Sequence, residues 1–527
     1  MINPVTSRNS QLSGHDGHID ATPIRKLDSA VVVSRGVSYL TMQTIVMSLT
    51  QVISFAILAR IITPGEMGLL AVMSLVLSAS VAIDGSAFQQ SAMKFIGEST
   101  YNKEVASAIF YRTLRISLSI SIPLAVAIFV LAPTLASTLI GQVDLSYLFR
   151  VLAVDLLISS GALPVAIGTL YGLKRFKAAS VIGVAGMILR QSLIILLIFL
   201  MRDFVGLVFA WVISDFIIFT AYVAYTLRIV GRKRTIFSAS KIVAFSWPLT
   251  ISNIISFGYS WFDRALLVVF VPLTMLGVYN AATTAYAVLL SVSTAVSNTL
   301  LPVYSGIGAQ DRLEGCRHAT YLASRYVSFT IVPLAFGLMA TSRPALALLV
   351  GQAYAGATEP LMILSFFLAV TMCGVALSPM MLALSKTRLM SGITIVSVVV
   401  GLTSAFYLLP IWGIIGASIA RGIALTVSTV LTIIILIRKN AVELDIEAIW
   451  KSLTAAALMT GCVYTMQMIS YSRLFLPLYA IVGSLVYLSA LRILKAVRQE
   501  DIDLIDRYLG QRLVFARTIL SALVLSK

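Results

Sequence analysis

Apolar runs of about 20 residues recur along this chain from Val31 to Leu494, and no other feature narrows its fold so far. A helix of that length, rising 1.5 Å per residue, crosses a hydrocarbon layer of about 30 Å. A membrane β-barrel would instead alternate apolar and polar residues over strands of about ten residues, a pattern absent here. Composition agrees, since 59% of the 527 residues are hydrophobic and 12% charged, against roughly 25% charged in soluble domains. The expectation is an all-α integral membrane protein.

Fourteen spans are predicted, at 31–59, 67–93, 107–132, 147–172, 178–201, 204–228, 243–271, 276–305, 319–341, 357–384, 389–409, 412–437, 449–469 and 475–495. An even number leaves both chain ends on one side. Lys and Arg resist translocation and collect in cytoplasmic connections. With basic residues at span edges counted in the nearest connection, 31 of the 39 fall in the two tails and the connections after even-numbered spans. Five (Arg60, Arg150, Arg202, Arg343 and Arg473) fall on the other side, and Arg190, Arg264 and Arg421 lie within spans. Both termini are therefore expected in the cytoplasm. The net charge of +17 then reflects short loops facing an anionic leaflet rather than nucleic-acid binding.

The chain also repeats itself. "SFAILARIITPGEMGLLAV" from Ser54 aligns without a gap on "DRALLVVFVPLTMLGVYNA" from Asp263, which places Gly68 on Gly277. "LIGQ" at Leu139 returns as "LVGQ" at Leu349 at nearly the same offset. Six spans repeating six, with an extra pair at the end, is the pattern of secondary transporters that rock two lobes about a central site. The expected division is a cytoplasmic tail (1–30), an N-lobe (31–230), a basic linker (231–242), a C-lobe (243–438), a helix pair (449–495) and a cytoplasmic tail (496–527). In that last tail Ile502, Ile505, Leu509, Leu513, Ala516 and Leu520 recur at helical spacing among arginines, as in a helix lying on a membrane surface.

The polar N-terminal residues contain no apolar core with a cleavage pattern, so no secretory signal is expected. Cys316, Cys373 and Cys462 are scattered and imply no disulfide framework. His15, His18 and His318 lie outside the spans, no H-E-x-x-H motif occurs, and no metal or other cofactor is expected. No G-x-x-x-x-G-K-[ST] loop occurs, so nothing suggests ATP hydrolysis.

The residues "ARIITPGEMGLLAV" from Ala59, "FDRALLVVFVPLTMLGVYNAA" from Phe262 and "LLVGQAYAGATEPLMILSF" from Leu348 resemble the polysaccharide-transporter branch of the multidrug/oligosaccharidyl-lipid/polysaccharide exporter superfamily. "LYGLKRFKAASVIG" at Leu170 and "WGIIGASIARGIA" at Trp412 are similar to that family's helix boundaries, although Arg421 stands where the family more usually has an uncharged residue. The resemblance covers roughly residues 30–440. It implies fourteen helices in two six-helix lobes around a central cavity, plus a C-terminal pair. It also implies export of a polyprenyl-diphosphate-linked oligosaccharide, the repeat unit of a surface polysaccharide, across the cytoplasmic membrane. Implied partners are that lipid-linked substrate, membrane lipid, a coupling ion (proton or sodium) and polysaccharide polymerase machinery.

Seven ionisable residues lie well inside spans: Asp84, Asp155, Arg190, Asp215, Asp263, Arg264 and Arg421. Each costs about 2.5–3.5 kcal/mol at mid-membrane, so it is expected to face a partner or a wet cavity. Neighbours on a helix point about 100° apart, so Asp263 and Arg264 each need something from another element. For the three arginines, one reading is attraction of the substrate's diphosphate, which a guanidinium grips with paired donors; the other is a structural ion pair with an embedded Asp. For Asp155, Asp215 and Asp263, pairing stands beside ion coupling or sugar-hydroxyl binding, while Asp84 reads as a cap on the inner mouth. Trp261, beside Asp263, is a candidate sugar-stacking residue; Arg60 reads as an interfacial anchor.

Three rivals remain at this stage, of which a purely structural membrane scaffold leaves the buried charges unexplained. An ion-coupled extruder of drugs or small cations would share the fold. A membrane polymerase or ligase would need outer loops able to build a catalytic region, yet none here exceeds roughly fifteen residues. The expectation is a flippase and not an enzyme.

Overall fold

The computed structural model describes residues 22–99, 102–201, 204–231, 237–307, 312–438 and 442–498. The polar tail up to residue 21, the basic run 232–236 and the amphipathic segment beyond residue 498 lie outside the described residues. All regular structure among the described residues is helical. Among the described residues, thirteen helical runs are long and apolar enough to cross a membrane, as expected of a multi-pass membrane protein.

In chain order, α1 (Thr22–Ile61) leads to α2 (Pro64–Ile83) and α3 (Gly85–Glu98). Then come α4 (Lys103–Val130), a short α5 (Ala132–Leu135), α6 (Ser146–Leu156), α7 (Leu163–Gly172), α8 (Phe176–Met201) and α9 (Val205–Val230). After residues 232–236 follow α10 (Ala239–Phe270), α11 (Leu273–Ser305), α12 (Arg312–Leu349), α13 (Thr358–Val370), α14 (Cys373–Ala383) and α15 (Thr387–Ile437). A final pair, α16 (Ile446–Ile469) and α17 (Leu476–Ile493), closes the described chain.

The turn between α1 and α2 is written in "TPGE". Thr63 Oγ1 accepts from the Glu66 N–H at 3.3 Å, and Glu66 Oε2 accepts from the Thr63 N–H at 2.7 Å. This reciprocal pair satisfies two helix-end donors, and Pro64 occupies the first turn, where a missing N–H costs nothing. At the position aligned with Thr63 in the second half, Pro272 stands as the N-cap of α11.

The aligned repeats return as similar local structures. Gly141 and Gly351, from "LIGQ" and "LVGQ", each end a helix with φ at +78° and +93°, a region closed to most side chains. Each is followed within two residues by a 3₁₀ turn, Val143–Leu145 and Gln352–Ala357. Gly68 and Gly277 meet where α2 crosses α11: a Cβ on Gly68 would overlap the Leu273 carbonyl, and one on Gly277 would overlap the Pro64 carbonyl. Absence of side chains at both positions lets the two backbones touch.

The prediction of fourteen spans and the count of thirteen differ over residues 387–437, which form one run of 51 residues. About 75 Å of straight helix would overshoot the bilayer. Instead Gly413, at φ +53° and ψ −126°, breaks it. A Cβ on Gly416 would overlap the Leu408 carbonyl. In a continuous helix those residues stand about 12 Å apart, so the chain folds back on itself there.

Candidate substrate cavity and embedded charges

A cavity of about 410 Å³ lies between helices of the first half and helices of the second. The first half contributes Gln51, Phe55 and Leu58 from α1, Leu70 and Ser74 from α2, Gln191 and Ile194 from α8, and Leu207 and Trp211 from α9. Facing them are Trp261 and Arg264 of α10 and Asn280, Thr283, Thr284 and Ala287 of α11. Its volume falls within the range of small-molecule sites. One charge stands among the lining residues, that of Arg264; the other polar groups are neutral amides, hydroxyls and indoles.

Arg264 is half-buried, its Nε has no hydrogen-bond partner, and no carboxylate pairs with it among the described residues. Its guanidinium lies 4.5 Å from the centre of the Trp261 ring, whose other neighbour is Phe257 at 6.3 Å. Trp261 thus supports the arginine from below.

Asp263, one residue earlier, turns away from the cavity. It accepts from Tyr279 Oη at 2.7 Å and faces Arg421 of α15 at 3.6 Å. Arg421 also donates to the Tyr259 and Ser260 carbonyls at 3.0 and 3.1 Å. The pair ties α10 to α15. The two neighbours that the sequence left unmatched are therefore served differently, the acid by a partner helix and the base by the cavity.

Arg190 of α8 pairs with Asp215 of α9 at 3.3 Å and approaches the Trp211 ring at 5.2 Å. Trp211 and the adjacent Gln191 line the cavity, so this pair stands just behind its wall. Asp155 of α6 is fully buried near Asp215. Asp84 is fully buried at the break between α2 and α3, where Ser117 Oγ lies 2.9 Å from its Oδ1. Of the candidate residues, Arg264 and Trp261 line the cavity; Asp84, Asp155, Arg190, Asp215, Asp263 and Arg421 do not. Arg60 donates to the Leu348 carbonyl and so links the two halves.

A further buried pair escaped the sequence reading. Arg325, 2% exposed, donates to Asp445 at 2.9 Å and to the Ala496 carbonyl at 2.9 Å. It sits close to a predicted span edge, where a basic residue counts with the cytoplasmic loop. The available signal was Asp445 itself, an acid placed to cap "IEAIW", and its Oδ1 accepts from the Ala448 N–H at 2.9 Å. Burial works to raise the Asp445 carboxyl, but the Ala448 N–H and Arg325 outweigh it and hold it below the usual carboxylate range.

This is a multi-pass membrane protein whose helices line a cavity of mixed apolar and polar groups, with one positive charge among the described residues. A profile described as "Polysaccharide biosynthesis protein" matches residues 57–359, more than half of the chain, and the chain belongs to that family. It is 22% identical over 272 residues to "Probable low-salt glycan biosynthesis flippase Agl15" of Haloferax volcanii, 51% of this chain and 57% of that one. It is 27% identical over 309 residues to "Succinoglycan biosynthesis transport protein ExoT" of Rhizobium meliloti, 58% and 59% of the respective chains. The chain thus matches less than two thirds of the length of either relative.

Among solved structures, its fold is similar to "Lipid II flippase MurJ, inward closed conformation", with a TM-score of 0.72 and 14% identity over 86% of this chain and 98% of that one. It is also similar to the inward-facing form of a "multidrug resistance MATE family transporter of the MOP superfamily", with a TM-score of 0.61 and 17% identity over 77% and 98%. These likenesses bear on fold.

Proposed function

We propose that the chain is a flippase, carrying a polyprenyl-diphosphate-linked oligosaccharide across the cytoplasmic membrane by alternating access. The observation that carries this reading is Arg264, a guanidinium without a carboxylate partner among the described residues, on the wall of a cavity between the two halves. A diphosphate satisfies it with two parallel charge-assisted hydrogen bonds. The amides and hydroxyls of Gln51, Gln191, Asn280, Thr283 and Thr284 suit sugar hydroxyls. The membership in a polysaccharide biosynthesis family and the names of the two relatives support the same substrate class.

In this reading residues 31–230 and 243–438 are the two rocking lobes, 449–495 a peripheral pair, and both termini are cytoplasmic. Arg264 is the primary diphosphate contact, Trp261 its platform, and Arg190 a second attractor behind the wall. Asp263 and Arg421 hold the wall in place, and Asp84 stiffens the α2–α3 break. A coupling ion and the polymerase machinery are proposed partners. An extruder of organic cations would need a carboxylate facing its ligand, and the cavity lining contains none.

The test is deletion of the gene followed by re-expression of Arg264 variants. Lipid-linked intermediates accumulate on the cytoplasmic leaflet after deletion, Arg264→Lys restores export in part, and Arg264→Ala does not. Loss of a charged hydrogen bond worth about 1.5–3 kcal/mol corresponds to roughly 10- to 150-fold weaker diphosphate binding. Normal surface glycan with altered dye efflux would instead identify the extruder.

A further inference from the structure

Asp155 stands at the end of α6, two residues before a wide helical turn at Leu157–Ala162. It is fully buried, and neither carboxylate oxygen has a hydrogen-bond partner among the described residues. Asp215 stands on α9, which packs against α6, and already pairs with Arg190. Charged residues on the surrounding helices include Glu66 of α2, Asp84 at the α2–α3 break, joined through Ser117 to the Gly161 carbonyl of the wide turn, Arg112 and Arg115 of α4, Arg150 of α6, and Asp215 and Arg228 of α9, with Arg190 reaching in from α8.

Two carboxylates and one guanidinium leave one negative charge uncompensated in a buried site. Such a charge is too costly to keep, and neighbouring carboxylates in a buried site do not both stay ionised. A metal cation would need several further oxygen ligands, and no acidic cluster able to supply them occurs among the described residues. A single proton between the two acids removes the surplus charge and supplies the missing hydrogen bond.

We propose that Asp155 and Asp215 form a proton-binding site whose occupancy sets how strongly Arg190 attracts an anion in the cavity. This deepens the flippase reading and rests on it for the identity of the anion. The Arg190 side chain is 26% exposed and packs over Trp211, which lines the cavity. With the proton bound, the three groups sum to zero charge and Arg190 has one anionic neighbour to satisfy. With the proton gone, the cluster carries −1 and repels a diphosphate. Acidification therefore strengthens diphosphate binding, and by reciprocity diphosphate binding takes up a proton.

The experiment uses the full chain in nanodiscs of uncharged lipid, with farnesyl diphosphate as the probe. Its affinity rises about tenfold from mildly alkaline to mildly acidic buffer in the native chain, and sodium at constant pH leaves it unchanged. Asp155→Asn, which offers Asp215 a permanent N–H, holds the high-affinity state and abolishes the pH dependence; Asp215→Asn provides a second route should the first variant fold poorly. Infrared difference spectra of the native chain contain a protonated-carboxyl stretch that Asp155→Asn removes. Absence of that stretch, or a pH dependence intact in Asp155→Asn, overturns the proposal. If the stretch is present and lost in Asp155→Asn while the probe binds at no pH, the proton site stands and the diphosphate reading falls.

Discussion

Removing one member of an ion pair from an apolar interior costs more than the pair contributed, because the charge left behind has no water to turn to. Asp263 is 2% exposed and depends on Arg421 and Tyr279. Arg421→Ala therefore lowers the thermal midpoint in detergent by the equivalent of about 3 kcal/mol, and Arg421→Met combined with Asp263→Asn recovers more than half of it. Arg264→Ala abandons no carboxylate and leaves the midpoint close to native, a contrast that equal destabilisation of the two variants would refute. The list of embedded charges was legible in the sequence, because few residues pay for a place at bilayer depth without a role. Their partners were not. Asp263 meets Arg421 across half of the chain, and Arg325 escaped because proximity to a span edge made it resemble an ordinary cytoplasmic arginine.

Between elements, hydrogen bonds and close backbone approach hold helices together, since lipid offers no hydrophobic drive for association. Along α12 and α16, Ser452 donates to the Ser328 carbonyl at 2.9 Å, Thr460 to Phe336 at 3.3 Å and Gln467 to Ala340 at 2.7 Å. Arg325 and Asp445 close that seam at one end. The folded Asp445 carboxyl titrates below its unfolded value, so its contribution is present above about pH 3.9 and is lost as pH falls through the folded value. Acid-induced release of α16 and α17, followed by limited proteolysis, occurs in that window and disappears in Asp445→Asn, which is looser at neutral pH.

The crossing of α2 and α11 makes a second prediction at this scale. Gly277→Ala overpacks the contact by about 1–3 kcal/mol, which shifts an equilibrium between joined and parted halves by about 5- to 150-fold. In a chain lacking Cys316, Cys373 and Cys462, a Thr284→Cys probe on the cavity wall then reacts faster with an impermeant maleimide added from outside. Gly392→Ala, where a Cβ meets open space, leaves the rate unchanged. Helix positions were readable because apolar length is a robust signal. The break at Asp84 was not, because "AIDGSAF" carries no proline and its geometry depends on Ser117 of another helix.

For the molecule as a whole, the proposed orientation, with both termini cytoplasmic, rests on the distribution of the 39 basic residues more than on any single helix. The 3₁₀ turn after Gly351 touches the turn between α1 and α2, where Tyr354 Oη donates to the Ile62 carbonyl at 3.1 Å. The repeat places Gly141 at the equivalent point, so these turns share one end of the bundle, with Arg60 nearby. The opposite end holds Lys174 and Arg175 between α7 and α8 with Lys177 in the first turn of α8, and Lys386 between α14 and α15 with Arg388 in the first turn of α15. Alkaline phosphatase inserted after Gln142 or Gln352 is therefore active outside the cell, whereas an insertion after Lys174 is inactive and a fluorescent protein fused at Lys527 folds in the cytoplasm. Phosphatase activity after Lys174 would invert the molecule. Arg264 would then draw its anion from the wrong leaflet for export, because the α2–α11 crossing, which joins the halves beside the Gly351 turn, would close the cytoplasmic mouth instead of the outer one.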